Sequence, residues 1–256
     1  MQTRRFIELA LFKVRADLKA ESAKTYIGML WWILDPLMWM AAFYLVFAVL
    51  LERRTEQFTD FLLCGLVFWR WFAGTISNSS MSIKAGKGLM QQIYIPKEFF
   101  VVVNILKDLF KFALIFVLLL VYLLFRGYSF DETLAALPLL MAIQLLLVVG
   151  TTFFVASVIP LLPDLKFVLD NVLLIGMFLS GIFYDGRDLP AAKQELFYLN
   201  PIAKLIESYR VVLLEDSWPD FGALLLPLGV SAGLLITGIT IIRTLDRDYP
   251  RIVQNR

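Results

Sequence analysis

The chain contains no histidine and only one cysteine, Cys64. Without histidine there is no imidazole for acid–base catalysis, and a single cysteine forms neither a disulfide framework nor a Cys/His metal site within the chain. Cys64 lies inside an apolar run and is most simply a small buried hydrophobic residue. Three classes of function are therefore excluded: disulfide scaffolds, Cys/His metalloproteins and histidine-based enzymes.

A phosphate-binding loop is also missing. The nearest segment to G-x-x-x-x-G-K-[ST] is Ala85-Gly-Lys-Gly88, which lacks the first glycine and the hydroxyl residue after the lysine. The acidic pair Asp185 and Asp188 is more simply a turn and a helix cap than a catalytic site. If ATP drives this protein, another subunit hydrolyses it, and the chain itself carries no catalytic residue, cofactor or metal.

Charged residues are scarce, at 18% of the chain, whereas 59% of the residues are hydrophobic and the mean hydropathy is +0.74. Ordinary globular domains are roughly 45–50% apolar. The formal net charge of +2 comes with no basic patch, which argues against a nucleic-acid partner. The composition predicts an all-α, multi-pass membrane protein in contact with lipid.

Six segments are long and apolar enough to cross a bilayer, which takes about 20 mainly apolar residues. These are residues 28–51, 61–83, 99–125, 133–162, 167–184 and 221–242. No soluble domain remains between them, so residues 1–256 are predicted to form a single transmembrane domain.

Lysine and arginine are distributed unequally between the two sides of the predicted spans. With the N-terminus inside, fourteen of the 24 fall on the inner connections and seven on the outer ones. Because positive residues are retained in the cytoplasm, both termini are predicted to be cytoplasmic. Residues 84–98 then form an inner connection, and residues 185–220 form the one large outer loop.

Residues 1–27 have an amphipathic pattern. Ile7, Leu11, Val14 and Leu18 recur at helical spacing among arginines and lysines, and no uninterrupted apolar core leads to a cleavage site. The pattern predicts a helix lying at the cytoplasmic membrane surface rather than a signal peptide. A soluble helix packed on another subunit is the alternative.

The outer loop also contains helical signals. Asn200 and Pro201 suit the cap and first turn of a helix, and the apolar residues after them recur at spacings of three and four. A shorter helix is predicted before them, at residues 190–198. This pair is either two surface helices or a lid over something that opens outward.

Polar residues inside predicted spans are costly in a membrane and so are functional candidates. Arg70 lies among aromatic residues and either contacts a phosphate or sugar hydroxyl or anchors the span at the interface. Lys107 and Lys111 lie one turn apart on the third span and are predicted to face protein or water, with Asp108 or an acid from another span as counter-charge. Asp35 precedes a proline and marks a kink or a polar pathway.

The segment KGLMQQIYIPKEFF at residues 87–100, most of which belongs to the inner connection, interrupts the apolar pattern. Leu89, Met90, Ile93 and Tyr94 form a short apolar face at helical spacing, and Pro96 disfavours helix at the preceding residue. Because the chain has no ATP site, this cytoplasmic segment is a candidate docking site for an ATPase subunit. A short helix lying on the membrane would show the same pattern.

Four motifs resemble one family in the right order along nearly the whole chain. They are YIGMLWWILDPL at residues 26–37 with YLVF at 44–47, GLVFWRWF at 65–72, LMQQIYIPK at 89–97 and NPIAKLIESYR at 200–210. Together they resemble the membrane subunit of polysaccharide-exporting ABC transporters, which move lipid-linked O antigen, capsule or teichoic acid polymers.

The resemblance implies a homodimer of six-span subunits in the bacterial inner membrane, bound to two cytoplasmic ATPase subunits that hold ATP and Mg²⁺. A lipid-linked polysaccharide would pass along the dimer axis. Residues 84–98 would be the coupling helix. Its candidate contacts are Leu89, Met90, Ile93, Tyr94, Pro96 and Lys97.

The resemblance also implies an aromatic channel and an outer gate. The channel and substrate candidates are Trp32, Phe68, Trp69, Arg70, Trp71, Phe72, Lys107 and Lys111. The outer gate candidates are Asn200, Pro201, Tyr209 and Arg210. Arg70 occupies a position that is usually less polar in the family, so its role is not carried over.

Two other functions fit part of the pattern. An exporter of drugs or other small substrates would have the same architecture and the same hydropathy. A membrane enzyme acting on polyprenyl-linked sugars fits less well, because the chain lacks an acidic catalytic cluster and its soluble parts are too small to bind a sugar nucleotide.

Overall fold

The computed structural model describes residues 3–46, 56–129, 131–246 and 248–249, and every regular element within them is helical. The all-α prediction is therefore confirmed. The helices are α1 (Thr3–Ala23), α2 (Trp31–Tyr44), α3 (Glu56–Ser79), α4 (Ser82–Ala85), α5 (Lys87–Met90), α6 (Glu98–Phe125), α7 (Leu137–Val158), α8 (Leu165–Leu179), α9 (Ala191–Phe197), α10 (Pro201–Leu214) and α11 (Leu225–Thr244). Short 3-10 turns lie at Gly28–Leu30, Glu132–Ala136 and Gly186–Asp188.

Three helical stretches are long and apolar enough to cross a membrane: Glu98–Phe125, Glu132–Val158 and Leu225–Thr244. They correspond to the predicted third, fourth and sixth spans. The fourth is shorter than predicted, because its helix ends two residues before Pro160. The first, second and fifth spans stay predictions. The helices at the first and fifth spans, α2 and α8, have only 14 and 15 residues, and residues 47–51 of the first span lie outside the described residues. Helix α3, at the second span, carries charged residues within it.

The central core lies where α3 packs between α6, α7 and α10. The Phe68 ring stacks on Tyr209 with centroids 3.5 Å apart, and Trp71 stacks on Phe112 at 3.9 Å. The buried Gln144 side chain of α7 donates from its amide nitrogen to the Phe68 carbonyl oxygen at 2.9 Å, which links α7 to α3. An outer-loop helix is therefore part of the same core as the long apolar helices.

Helix α1 forms as its amphipathic pattern predicts, but the residues that it buries are not all those of the predicted apolar face. Ala10, Val14 and Leu18 are buried against the first turns of α6, whereas Ile7 and Leu11 are exposed. Residues four apart lie above one another on a helix, so Ala10 shares the face of Val14 and Leu18. The exposed apolar side of α1 remains available to a membrane surface, and its interfacial position stays a prediction.

The inner connection between α3 and α6 is less helical than predicted. Two short helices, α4 and α5, are joined at Gly86, whose Cβ position would lie 2.5 Å from the Phe100 ring, and the helix ends at Met90 instead of continuing through Tyr94. Ile95 turns inward and is buried while Ile93 and Tyr94 face outward. Residues 94–96 are not helical, in agreement with the expectation that Pro96 disfavours helix at Ile95.

The two helices predicted in the outer loop are both present, as α9 and α10. The Asn200 side chain accepts a hydrogen bond from the backbone N–H of Ile202 at 3.2 Å, so it caps α10 as predicted, with Pro201 in the first turn. Asp185 likewise accepts from the backbone N–H of Arg187 and caps a 3-10 turn. The action of these helices as a gate stays a prediction.

Close packing of α7 on α11 depends on glycine. A Cβ atom added at Gly238 would lie 2.5 Å from the backbone nitrogen of Phe154 and 2.6 Å from the carbonyl carbon of Phe153. Small residues allow helices to approach in this way where lipid offers no hydrophobic driving force between them. The α7–α11 pair therefore cannot accept a larger side chain at this position without moving apart.

We expect Gly238→Ala to lower the free energy of unfolding by about 1–3 kcal/mol, because the added methyl group overlaps the α7 backbone. The matched control is Gly233→Ala on the same helix, where no described atom outside its own part of the helix lies within 4 Å of the new Cβ. Thermal unfolding of the purified proteins in detergent measures the stability of both variants. Equal melting temperatures for the two variants would contradict the packing described above.

Candidate functional site

A cavity of about 640 Å³ lies between α2, α3 and α6, with the C-terminal end of α1 beside it. Three tryptophans, Trp31, Trp32 and Trp39, reach it from α2 and a fourth, Trp71, from α3. The cavity is open on one side, and its walls are mainly apolar. This size falls within the range of small-molecule binding sites, roughly 300–1,000 Å³.

The inner end of the cavity is polar. Lys111 forms an ion pair with Glu21 of α1 at 2.5 Å, and its ammonium lies 5.3 Å from the Trp32 ring centroid. Asp108 is buried and accepts a hydrogen bond from the Asn78 amide at 3.1 Å. The direct partner of Lys111 is therefore an acid from the N-terminal helix, not Asp108 or an acid from another span.

The middle of the cavity contains a second ion pair. Arg70 donates to the Asp35 carboxylate at 2.5 Å, and its guanidinium carbon lies 5.2 Å from the Trp39 ring centroid. The side chains of Arg70 and Asp35 are 37% and 52% exposed, so both face the open space rather than the core. The pair presents guanidinium donors beside carboxylate acceptors and an indole face.

The charges that line the cavity are nearly balanced. Among the described residues that line it, two cations, Arg70 and Lys111, are accompanied by three acids, Glu21, Asp35 and Asp108. An excess of cations would favour a phosphate or another anion, and these described residues show no such excess. The outer end is apolar, with Leu63, Leu66, Leu118, Leu119 and Phe125 among its lining residues.

Four of the eight predicted channel residues line this cavity: Trp32, Arg70, Trp71 and Lys111. The other four, Phe68, Trp69, Phe72 and Lys107, lie elsewhere. Phe68 belongs to the central core, and the Trp69 ring lies where a Cβ added at Gly176 of α8 would meet it at 2.9 Å. Consecutive helical residues point about 100° apart, so the aromatic run cannot face one space.

Sequence reasoning missed Trp39 and Glu21 and did not include Asp35 among its binding residues. Trp32, Asp35 and Trp39 are spaced by three and four residues, which places them on one face of α2. That spacing was visible in the sequence. The contact of Glu21 with Lys111 joins residues 90 positions apart, and no local pattern indicates it.

The predicted gate residues Tyr209 and Arg210 are both buried in the bundle. The Arg210 guanidinium donates to the carbonyl oxygens of Phe61 at 3.1 Å, Gly181 at 2.6 Å and Ile182 at 3.1 Å. Burial lowers the pKa of Arg210 to about 10, so the group remains a cation at neutral pH. Arg210 therefore holds α10 against α3 and the segment after α8.

A cluster of ion pairs around Arg187 lies at the surface of the outer loop. Arg187 contacts the carboxylates of Asp185 at 2.7 Å and Glu215 at 2.9 Å. Burial alone would raise the pKa of Asp185, but hydrogen bonds from Arg187 outweigh it and the net pKa is lowered. Burial raises the pKa of Glu207, which lies 3.9 Å from Arg187. These contacts connect the start of the loop to the end of α10.

The six predicted coupling residues divide into exposed and enclosed groups. Ile93 and Tyr94 are exposed, at 55% and 75%, and with Gln91 and Gln92 they form the outward face of the inner connection. Leu89, Met90 and Pro96 are half-buried. Lys97 is only 3% exposed. We call residues 91–94 the outward face below.

We expect Arg210→Gln to lower the free energy of unfolding by about 2–4 kcal/mol, because three buried carbonyl groups lose charged donors. Backbone amides of α10 should then exchange hydrogen faster, which mass spectrometry measures. Lys204→Gln, which removes a cation from the same helix without touching those carbonyls, is the matched control. Unchanged protection of α10 in the Arg210 variant would show that Arg210 does not hold it.

Comparisons with known proteins place the chain in a family. A family model described as ABC-2 type transporter matches residues 14–214. The O-antigen export system permease protein RfbA of Myxococcus xanthus is 24% identical over 243 residues, covering 94% of each chain. A protein of the same name from Klebsiella pneumoniae is 21% identical over 248 residues, covering 96% of this chain and 95% of the relative. The polysialic acid transport protein KpsM of Escherichia coli is 23% identical over 200 residues, covering 76% of each.

The family match spans most of the chain, and the relatives that cover nearly all of it carry the names of export permeases. The resemblance seen in the four sequence motifs is thereby confirmed. The chain belongs to the ABC-2 type transporter membrane family.

Proposed function

We propose that the chain is the permease subunit of an ABC exporter that moves a lipid-linked polysaccharide, such as an O antigen or capsule-like glycan, across the bacterial inner membrane. ATP hydrolysis in a separate cytoplasmic subunit, which holds ATP and Mg²⁺, supplies the energy. The export permeases of Myxococcus, Klebsiella and Escherichia to which the chain is similar support this assignment.

The observation that carries the proposal is the cavity with its indole rings and balanced ion pairs. A neutral sugar has hydroxyl groups that both donate and accept hydrogen bonds, and its ring faces are apolar. The Arg70–Asp35 pair offers a donor and an acceptor to such hydroxyls, while Trp39 and Trp32 offer apolar faces. Contacts of this kind depend little on the order of sugars, as a polymer channel requires.

The assembly we propose is a homodimer bound to two ATPase subunits. In the part of the chain that the structure describes, no residue of helix α8 is buried, and most of its exposed side chains are large and apolar. Among them are Phe167, Val168, Val172, Ile175, Phe178 and Leu179. In a membrane such a surface faces lipid or a second subunit. A second copy on this face would complete a channel to which α2, α3 and α8 contribute.

The proposed topology has six spans and both termini in the cytoplasm. Three spans are the long apolar helices α6, the segment ending in α7, and α11. Spans one, two and five, at α2, α3 and α8, belong to the proposal. The chain then forms one transmembrane domain, with residues 1–27 at the cytoplasmic interface, residues 84–98 as the coupling segment and residues 185–220 as the outer gate loop.

Arg70→Ala should weaken stimulation of ATP hydrolysis by the glycan about tenfold, because a charged hydrogen-bond donor to the sugar is lost. The measurement is hydrolysis by the reconstituted complex against glycan concentration. Arg4→Ala, which removes an ion pair with Glu8 on the exposed surface of α1, is the control and should match the wild type. Wild-type stimulation of the Arg70 variant would favour the interfacial-anchor role, and stimulation by small apolar compounds alone would favour a drug exporter.

The partnership with an ATPase subunit has its own test. Wild-type chain should co-purify with the ATPase subunit, and Ile93→Ala with Tyr94→Ala should abolish that association, because these side chains form the apolar part of the outward face. Leu225→Ala, an exposed apolar residue at the opposite end of the bundle, is the control. Retained association of the double variant would refute docking at this face.

A further inference from the structure

The described residues after α11 fold back against the inner connection. Tyr249 is completely buried, and its hydroxyl donates to the Ser157 carbonyl oxygen at 2.7 Å. Its ring belongs to the same apolar cluster as Ile83 and Val101, which flank the inner connection on either side. The C-terminal part of the described chain is therefore packed beside the predicted coupling segment.

Asp246 directly contacts that segment. Its carboxylate accepts a hydrogen bond from the Tyr94 hydroxyl at 2.8 Å and from the Lys97 backbone N–H at 3.4 Å, and it lies 3.5 Å from the Lys97 ammonium. Lys97 also lies 5.1 Å from the Tyr94 ring centroid. One carboxylate thus holds two of the six predicted coupling residues, Tyr94 at the end of the outward face and Lys97 just after it.

A second ion pair joins the same two parts of the chain. Arg243, in the last turn of α11, contacts Glu98, the first residue of α6, at 2.8 Å. Arg243 and Asp246 therefore connect the C-terminal end of α11 to Glu98 on one side of Lys97 and to Tyr94 on the other. Helix α11 in turn packs closely on α7 through Gly238.

The outward face itself has little regular backbone structure to hold it. Helix α5 ends at Met90, and residues 94–96 are not helical. The Tyr94 ring projects outward, and its hydroxyl is held from behind by Asp246. A loop held in one conformation before binding loses less conformational entropy on docking, which raises affinity.

We propose that Asp246 is a positioning residue for coupling. It holds Tyr94 in the conformation that meets the ATPase subunit, and with Arg243 and Glu98 it connects the outward face to the α7–α11 pair. This proposal rests on the proposed partnership with an ATPase subunit. It assigns Lys97 an indirect role, because that side chain is enclosed beneath the outward face rather than presented on it.

The test is the affinity of the purified full-length chain for the ATPase subunit, measured in detergent at several subunit concentrations. Tyr94→Phe retains the ring and removes only the hydroxyl, so folding is preserved, and we expect about five- to tenfold weaker binding. Asp246→Ala should weaken binding at least as much. Asp248→Ala, a neighbouring exposed carboxylate, is the matched control and should bind as the wild type does.

A double-mutant cycle separates positioning from direct contact. If Asp246 acts through Tyr94, adding Tyr94→Phe to Asp246→Ala should weaken binding no further, because the hydrogen bond between the hydroxyl and the Asp246 carboxylate is already gone. Fully additive losses would overturn the proposal, as would wild-type affinity in either single variant. A fall in melting temperature with unchanged affinity would show that Asp246 is only structural. Failure of the wild-type chain itself to bind the ATPase subunit would instead overturn the proposed function.

Discussion

The stacked contact of Phe68 on Tyr209 fixes the rotation of α3, and most of the arrangement around that helix depends on it. With Phe68 directed into the core, the neighbouring residues of α3 point in other directions at steps of about 100°. Arg70 and Trp71 then reach the cavity, while Trp69 faces α8. The buried Arg210 strengthens the same α3–α10 contact through the Phe61 carbonyl group, and it joins α10 to the segment after α8 through two more.

Charges around the cavity are tolerated because each of the main cations has a partner. An unpaired charge in a membrane is costly, and an ion pair with a nearby indole lowers that cost. Lys111 has Glu21 and Trp32, and Arg70 has Asp35 and Trp39. The described lining of the cavity is therefore polar without an excess of positive charge, which suits the neutral sugar of the proposed exporter better than an anion.

Hydropathy and local spacing predicted much of the fold, and they failed where distant residues decide the structure. The third, fourth and sixth spans follow from continuous apolar runs, and the Asn200 cap follows from a motif of a few residues. The pairs Arg70–Asp35 and Tyr94–Asp246 join residues 35 and 152 positions apart, which no local pattern reports.

The inner connection is another place where local spacing did not predict the structure. Its apolar residues have helical spacing, but Ile95 is buried beside α1 and α6, proline disfavours helix at that residue, and residues 94–96 are not helical. Tertiary packing therefore overrode a short helical pattern. A four-residue pattern carries less information than a span, because a short helix gains little from its own hydrogen bonds.

Helix α6 connects the two regions to which function is assigned. It begins at Glu98, beside the outward face, and thirteen residues later carries Lys111 to the cavity, about 20 Å along the helix. Helix α1 packs on its first turns and supplies Glu21 to Lys111. In the proposed exporter, a displacement of the coupling segment would therefore move one wall of the cavity as a rigid element. The N-terminal helix would move with it, because the ion pair between Glu21 and Lys111 and the buried stripe of α1 hold the two helices together.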